Sequence, residues 1–183
     1  MQLFKSKDKF LQFTLNLESS QKFSLKQGIT TTNENTLEAL KRFSMLERQS
    51  FKTFYLWGEK GSGKTFWLRS WQMEKEKSSI YIDSLVENQL IPKKNNWFWY
   101  IDNIENADEK IKSRLFEELI NQHSTNNRFV FASKVDLINL KNFNFREDFI
   151  SRLKQGLVYR LAELPDEEKK NALRVHIHNL GWI

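Results

Sequence analysis

Residues 58–65, Gly58-Glu59-Lys60-Gly61-Ser62-Gly63-Lys64-Thr65, separate a glycine by four residues from Gly-Lys-Thr. That spacing is the pattern of a loop that wraps a phosphate. Its glycines let the backbone curl so that successive N–H groups point inward, and the dipole of a helix starting behind it favours an anion. Lys64 can then reach the β and γ phosphates, and the Thr65 hydroxyl can ligate magnesium. The chemistry these residues imply is binding of ADP or ATP with magnesium, with Gly58, Gly61, Ser62, Gly63, Lys64 and Thr65 as the nucleotide contacts.

Three further residues carry types that such a site uses. Asp102 ends the most apolar run of the chain, Trp97-Phe98-Trp99-Tyr100-Ile101. A carboxylate emerging there, beside the phosphate loop, would hold the magnesium through water. Residue 103 is Asn, an amide that cannot take a proton from an attacking water, so built-in hydrolysis should be slow. Ser133 follows Phe129-Val130-Phe131-Ala132 and could present its hydroxyl between the γ phosphate and that water, or serve only as a strand-end turn residue. Arg152, one cation in Phe149-Ile150-Ser151-Arg152-Leu153, could reach the γ phosphate held by a neighbouring subunit, or be a solvated surface side chain.

These residues need strands and helices to bring them together. Phe54-Tyr55-Leu56-Trp57 reads as a strand stopped at Gly58, with a helix from Lys64 to about Lys75 behind the loop. Ile80-Tyr81-Ile82, residues 97–101, residues 129–132 and Leu157-Val158-Tyr159 add four strand candidates, and an unbroken apolar strand suits a parallel sheet covered on both faces. Helices are expected over residues 36–48, around Ile111, Leu115 and Leu119, and from Asp166 onward with Leu173, Ile177 and Leu180 on one face and Gly181 as the stop. Strands alternating with helices imply an α/β sheet of parallel strands.

Composition narrows the classes. A chain of 183 residues fits one domain of ordinary size. With 39% hydrophobic and 28% charged residues, neither disorder nor a membrane protein is expected. Cysteine is absent, which excludes disulfides and thiolate metal sites and suits the cytoplasm. The net charge of +6 allows an acidic partner or nucleic acid, but the basic residues are interleaved with acids. His176 and His178 stand two apart, on different sides of a helix, which argues against a metal pair.

The loop with its strand, the run Ile101-Asp102-Asn103-Ile104-Glu105, and Asp148-Phe149-Ile150-Ser151-Arg152-Leu153 followed by Leu164-Pro165-Asp166-Glu167-Glu168-Lys169 together resemble the DnaA-related regulators of bacterial replication initiation, within the AAA+ ATPases. The resemblance implies a P-loop AAA+ type three-layer domain with a five-stranded parallel sheet; the family continues into a C-terminal helical lid, and the sequence, which stops at Ile183, departs from it in that the lid is expected to be lacking. It implies Arg152 as an arginine finger given in trans, Ser133 as a sensor, and DnaA and the DNA polymerase sliding clamp as partners, so that hydrolysis of DnaA-bound ATP is stimulated and re-initiation repressed.

Gln12-Phe13-Thr14-Leu15-Asn16-Leu17 resembles the clamp-binding hexapeptide of that family, with Gln12, Phe13, Leu15 and Leu17 as its contacts; an amphipathic edge strand is the alternative. The expected organisation is a clamp-binding tail over residues 1–20 and a nucleotide-binding base domain over 21–183, with DNA contact indirect or weak, no membrane, and self-association open. Two rival readings are a helicase-loader- or initiator-like ATPase gripping single-stranded DNA, with Lys93 to Asn96 as its short basic candidate, and a clamp-binding adaptor independent of nucleotide.

Overall fold

The fold is taken from a computed structural model, which describes residues 31–45, 51–86, 89 and 91–179. The five expected strands form one sheet: β1 (Thr53–Trp57), β2 (Ser79–Asp83), β3 (Phe98–Asp102), β4 (Arg128–Ser133) and β5 (Leu157–Arg160). Their order is β2-β3-β4-β1-β5, and every pairing is parallel. Trp97 lies one residue ahead of β3, whereas Asp102 and Ser133 are the last residues of their strands.

β4 is buried along its whole length and β3 over its last four residues. Because side chains alternate across a strand, an unbroken apolar run supplies both faces. Tyr55, Trp99, Ile101, Phe129 and Phe131 point to one side. There they pack on Ile111, Leu115 and Leu119 of α3 (Glu109–Ile120) and on Phe149 and Leu153 of α5 (Glu147–Lys154). Phe54, Leu56, Tyr100, Val130 and Ala132 point to the other. They meet Leu40 and Phe43 of α1 (Glu34–Met45) and Trp67, Leu68 and Trp71 of α2 (Lys64–Glu74). The result is a three-layer α/β fold, helix on sheet on helix. Large aromatics such as Trp99, Tyr55 and Phe131 are fully buried, each removing some 150 to 250 Å² from water.

Helix ends follow local chemistry. Asp108, in extended conformation, accepts the Ile111 N–H at 2.6 Å and starts α3. The four-residue α4 (Gln122–Thr125) precedes β4. α6 (Asp166–Asn179) begins at Asp166 with three acids in its first turn. The apolar stripe expected along α6 is not buried at Leu173, which is 58% exposed. Leu180 and Gly181 lie outside the described residues, as does the side chain of Ile177. Among the described residues no helix is long and apolar enough to cross a membrane.

Because all strands run the same way, their last residues share one edge of the sheet. Trp57 pairs with Ser133 and with Arg160, and Asp83 pairs with Asp102. In open α/β sheets ligand sites form outside this carboxyl edge.

Candidate nucleotide site

The phosphate loop leaves β1 at that edge. The Gly58 N–H donates to the Ser133 carbonyl at 3.1 Å, fastening the loop to the end of β4. A Cβ on Gly58 would stand 2.2 Å from the Leu161 carbonyl oxygen, so the residue is glycine because backbone passes where a side chain would begin. The exit of β5 is held on its other side as well. Asn33 donates to the Ala162 carbonyl at 2.9 Å and accepts the Ala162 N–H at 2.8 Å. Gly63, with φ of 96°, turns the loop into α2.

Lys64 opens that helix and is buried. Its ammonium donates to the carbonyls of Gly58 at 2.6 Å and Glu59 at 2.8 Å, and to Ser62 Oγ at 3.3 Å. Burial pulls its pKa below the ordinary lysine value, opposed by the carboxylates of Asp102, Glu105 and Glu59. The loop therefore carries a partly desolvated cation whose hydrogen bonds go to the loop's own carbonyls and the Ser62 hydroxyl, a charge that a bound anion would offset.

Thr65 and Asp102 meet as the sequence requires. Thr65 Oγ1 donates to Asp102 Oδ2 at 2.6 Å, and Asp102 is 1% exposed. Its other oxygen accepts the Asn103 N–H at 2.9 Å. A hydroxyl and a carboxylate side by side are the hard oxygen donors that magnesium takes, with water and phosphate oxygens completing its shell, so these residues fit that ion. Among the described residues no cluster of three or more His, Cys, Asp or Glu side chains could hold a metal by themselves.

Asn103 sits in left-handed conformation with φ of 53°, and its side chain donates to Asp83 Oδ1 at 2.9 Å. Its amide is thus turned to the end of β2. Ser133 Oγ donates to Glu105 Oε2 at 2.9 Å and accepts the Val135 N–H at 3.1 Å. Glu105 is buried and was not singled out as a site residue from sequence. It returns to the sheet edge because residues 104–106 form a 3-10 turn directly after β3. The available signal was a lone acid three positions after a strand-end Asp.

Arg152 lies apart from this cluster, on α5 in the helix layer opposite α2. It is partly exposed, with Cζ 5.9 Å from the centroid of Phe116 on α3, and Arg146 Cζ stands 4.7 Å from the same ring. Beside them an open groove of about 250 Å³ is lined by Lys112, Phe116, Phe145, Arg146 and Phe149. The structure therefore brings Gly58, Gly61, Ser62, Gly63, Lys64, Thr65, Asp102 and Ser133 to one edge and leaves Arg152 at a separate surface. Gln12, Phe13, Leu15 and Leu17 lie outside the described residues.

No family model matches the sequence. An uncharacterized protein of Haemophilus influenzae is 24% identical over 164 residues, covering 80% of this chain and 66% of its own length. Among solved structures, domain III of the Thermotoga maritima replication initiation protein DnaA superposes with a TM-score of 0.69 at 20% identity, covering 87% of this chain and 75% of that one. AMPPCP-bound DnaA from Aquifex aeolicus gives 0.69 at 17% identity, covering 88% and 56%. The Thermotoga maritima RuvB Holliday junction branch migration motor gives 0.61 at 17%, covering 87% and 54%. This chain thus spans little more than half of two of these proteins. It has the three-layer fold of the DnaA AAA+ domain.

Proposed function

We propose that the chain binds ADP or ATP with magnesium at Gly58–Thr65 and Asp102, and acts as a DnaA-related regulator of the Hda type. The observation that carries the nucleotide reading is the convergence of Lys64, Thr65 and Asp102 at the carboxyl edge of a DnaA-like sheet. Lys64 would offset charge on the β phosphate, and Thr65 and Asp102 would hold the magnesium, which when bound neutralises phosphate charge. Hydrolysis in the chain's own site would be slow, because Asn103 offers no proton acceptor and its amide is tied to Asp83.

The regulatory half of the reading concerns a second molecule. Arg152, accessible and separate from the chain's own loop, would enter the nucleotide site of DnaA and stabilise charge on its γ phosphate, while residues 12–17 would hold the sliding clamp. In support stand the placement of Arg152 on a face away from α2 and the likeness of the fold to DnaA. Calorimetry with magnesium-ADP tests the site. A pull-down against clamp, DnaA and single-stranded DNA tests the partners. Retention of clamp and DnaA is the expected outcome, and retention of single-stranded DNA alone would favour the loader-like ATPase.

A further inference from the structure

Asp102 has a partner that the phosphate-loop motif does not include. Tyr81 stands on β2, paired with Tyr100 of β3, and its ring belongs with the side chains packed on the α1 and α2 layer, the side on which Asp102 meets Thr65. Its hydroxyl donates to Asp102 Oδ2 at 2.8 Å, the same oxygen that accepts from Thr65. With the Asn103 N–H on Oδ1, both carboxylate oxygens are fixed and the group cannot rotate about its last bond.

The phenol is itself held. Arg69 of α2 lies over the Tyr81 ring with Cζ 3.4 Å from the centroid. A cation on the ring face draws electron density from the phenol and makes its O–H a stronger donor. Arg69, Tyr81 and Asp102 thus form a chain that runs from the surface of α2 to the carboxylate expected at the metal.

We propose that Tyr81 is a positioning residue for magnesium: its hydroxyl orients the Asp102 carboxylate toward the cation that Thr65 and Asp102 share. Partners of this kind, which hold a ligand without touching the metal, change metal affinity about 10- to 100-fold when removed. The inference rests on the nucleotide reading of the loop and concerns the metal alone. Tyr81 should therefore matter little for nucleotide bound without magnesium.

The test is Tyr81→Phe, which keeps the ring under Arg69 and removes only the hydroxyl. ADP affinity is measured by calorimetry, first with EDTA and then across a magnesium titration; manganese binding to the ADP complex is followed by electron paramagnetic resonance. The expected result is unchanged affinity in EDTA and a magnesium or manganese requirement raised about tenfold. A metal requirement equal to or below that of the wild type overturns the proposal. So does loss of ADP binding in EDTA, which would make Tyr81 a builder of the loop. Failure of the wild type to bind ADP under either condition would sink the nucleotide reading itself, an outcome distinct from a failure confined to the variant.

Discussion

The Ser133 hydroxyl donates to the buried carboxylate of Glu105 at 2.9 Å. The residue expected to face the γ phosphate therefore has an anion on it already, and the same carboxylate acts on Lys64. ATP binding must bring further negative charge towards that pair. Replacing the carboxylate by an amide of the same shape removes the repulsion, and charge pairs near a protein surface are worth about 1 to 4 kcal/mol at close range. Glu105→Gln is expected to raise affinity for ATP about tenfold relative to ADP, read as the ratio of the two dissociation constants. An unchanged ratio would place Glu105 out of reach of the γ phosphate.

Lys64 makes a second expectation with a defined sign. Its folded pKa lies below the ordinary lysine value because of burial, so the folded chain holds fewer protons than the unfolded chain in the window just below that value. There stability rises with pH. A bound phosphate reverses the local balance by favouring the ammonium, so ADP should take up a proton as it binds in that alkaline window. Affinity should fall as pH climbs through the window. Calorimetry in buffers of different ionisation heat reads the uptake directly. Lys64→Ala should abolish it and weaken ADP by roughly 1.5 to 3 kcal/mol, the range of a charge-assisted hydrogen bond.

Gly58 and Gly156 separate loop from fold. A Cβ at Gly58 would meet the Leu161 carbonyl oxygen at 2.2 Å, and neither backbone can yield without parting β5 from the loop. At Gly156 it would meet Thr53 Oγ1 at 1.9 Å and the Thr53 carbonyl oxygen at 2.4 Å, at the start of β1 and far along the strand from the loop. Both alanine variants should lose about 1 to 3 kcal/mol of stability, as overpacked sites do. Only Gly58→Ala should also weaken ADP binding by the folded protein. Urea unfolding and an ADP titration on each variant decide the matter.

The parts that were legible in sequence are those governed by local pattern. Five apolar runs gave five strands, and the unbroken run at residues 97–101 correctly implied a strand covered on both faces, because helices flank the sheet on both sides. Asp102 could be placed because a strand-end carboxylate has a fixed relation to a phosphate loop. Glu105 and Tyr81 could not. Each reaches the site through a partner on a strand distant in sequence, Ser133 of β4 for Glu105 and Asp102 of β3 for Tyr81, and sheet order is a tertiary fact. α5 went unread as a helix because its eight residues span barely two turns, too few for a period of 3.6 to declare itself.

Arg152 offers the sharpest separation of binding from stimulation. Its guanidinium lies near Phe116 with Arg146 over the same ring, on α5 and away from the chain's own loop. Arg152→Ala should therefore leave magnesium-ADP binding intact, and in the proposed reaction should fail to accelerate hydrolysis of ATP held by DnaA. An arginine finger stabilises charge that develops only in the transition state, so its loss falls on rate rather than on docking. Fingers supplied in trans are worth about 10³ to 10⁵ in rate. Arg152→Lys keeps the charge without the planar fork and should fail as well. Arg146→Ala is the matched control, since it removes the other cation from Phe116 while leaving Arg152 in place. Single-turnover hydrolysis on DnaA, with clamp loaded on DNA, compares the four proteins. Should Arg152→Ala stimulate as the wild type does, Arg152 is a surface cation, and the regulator reading loses its mechanism while the nucleotide site stands.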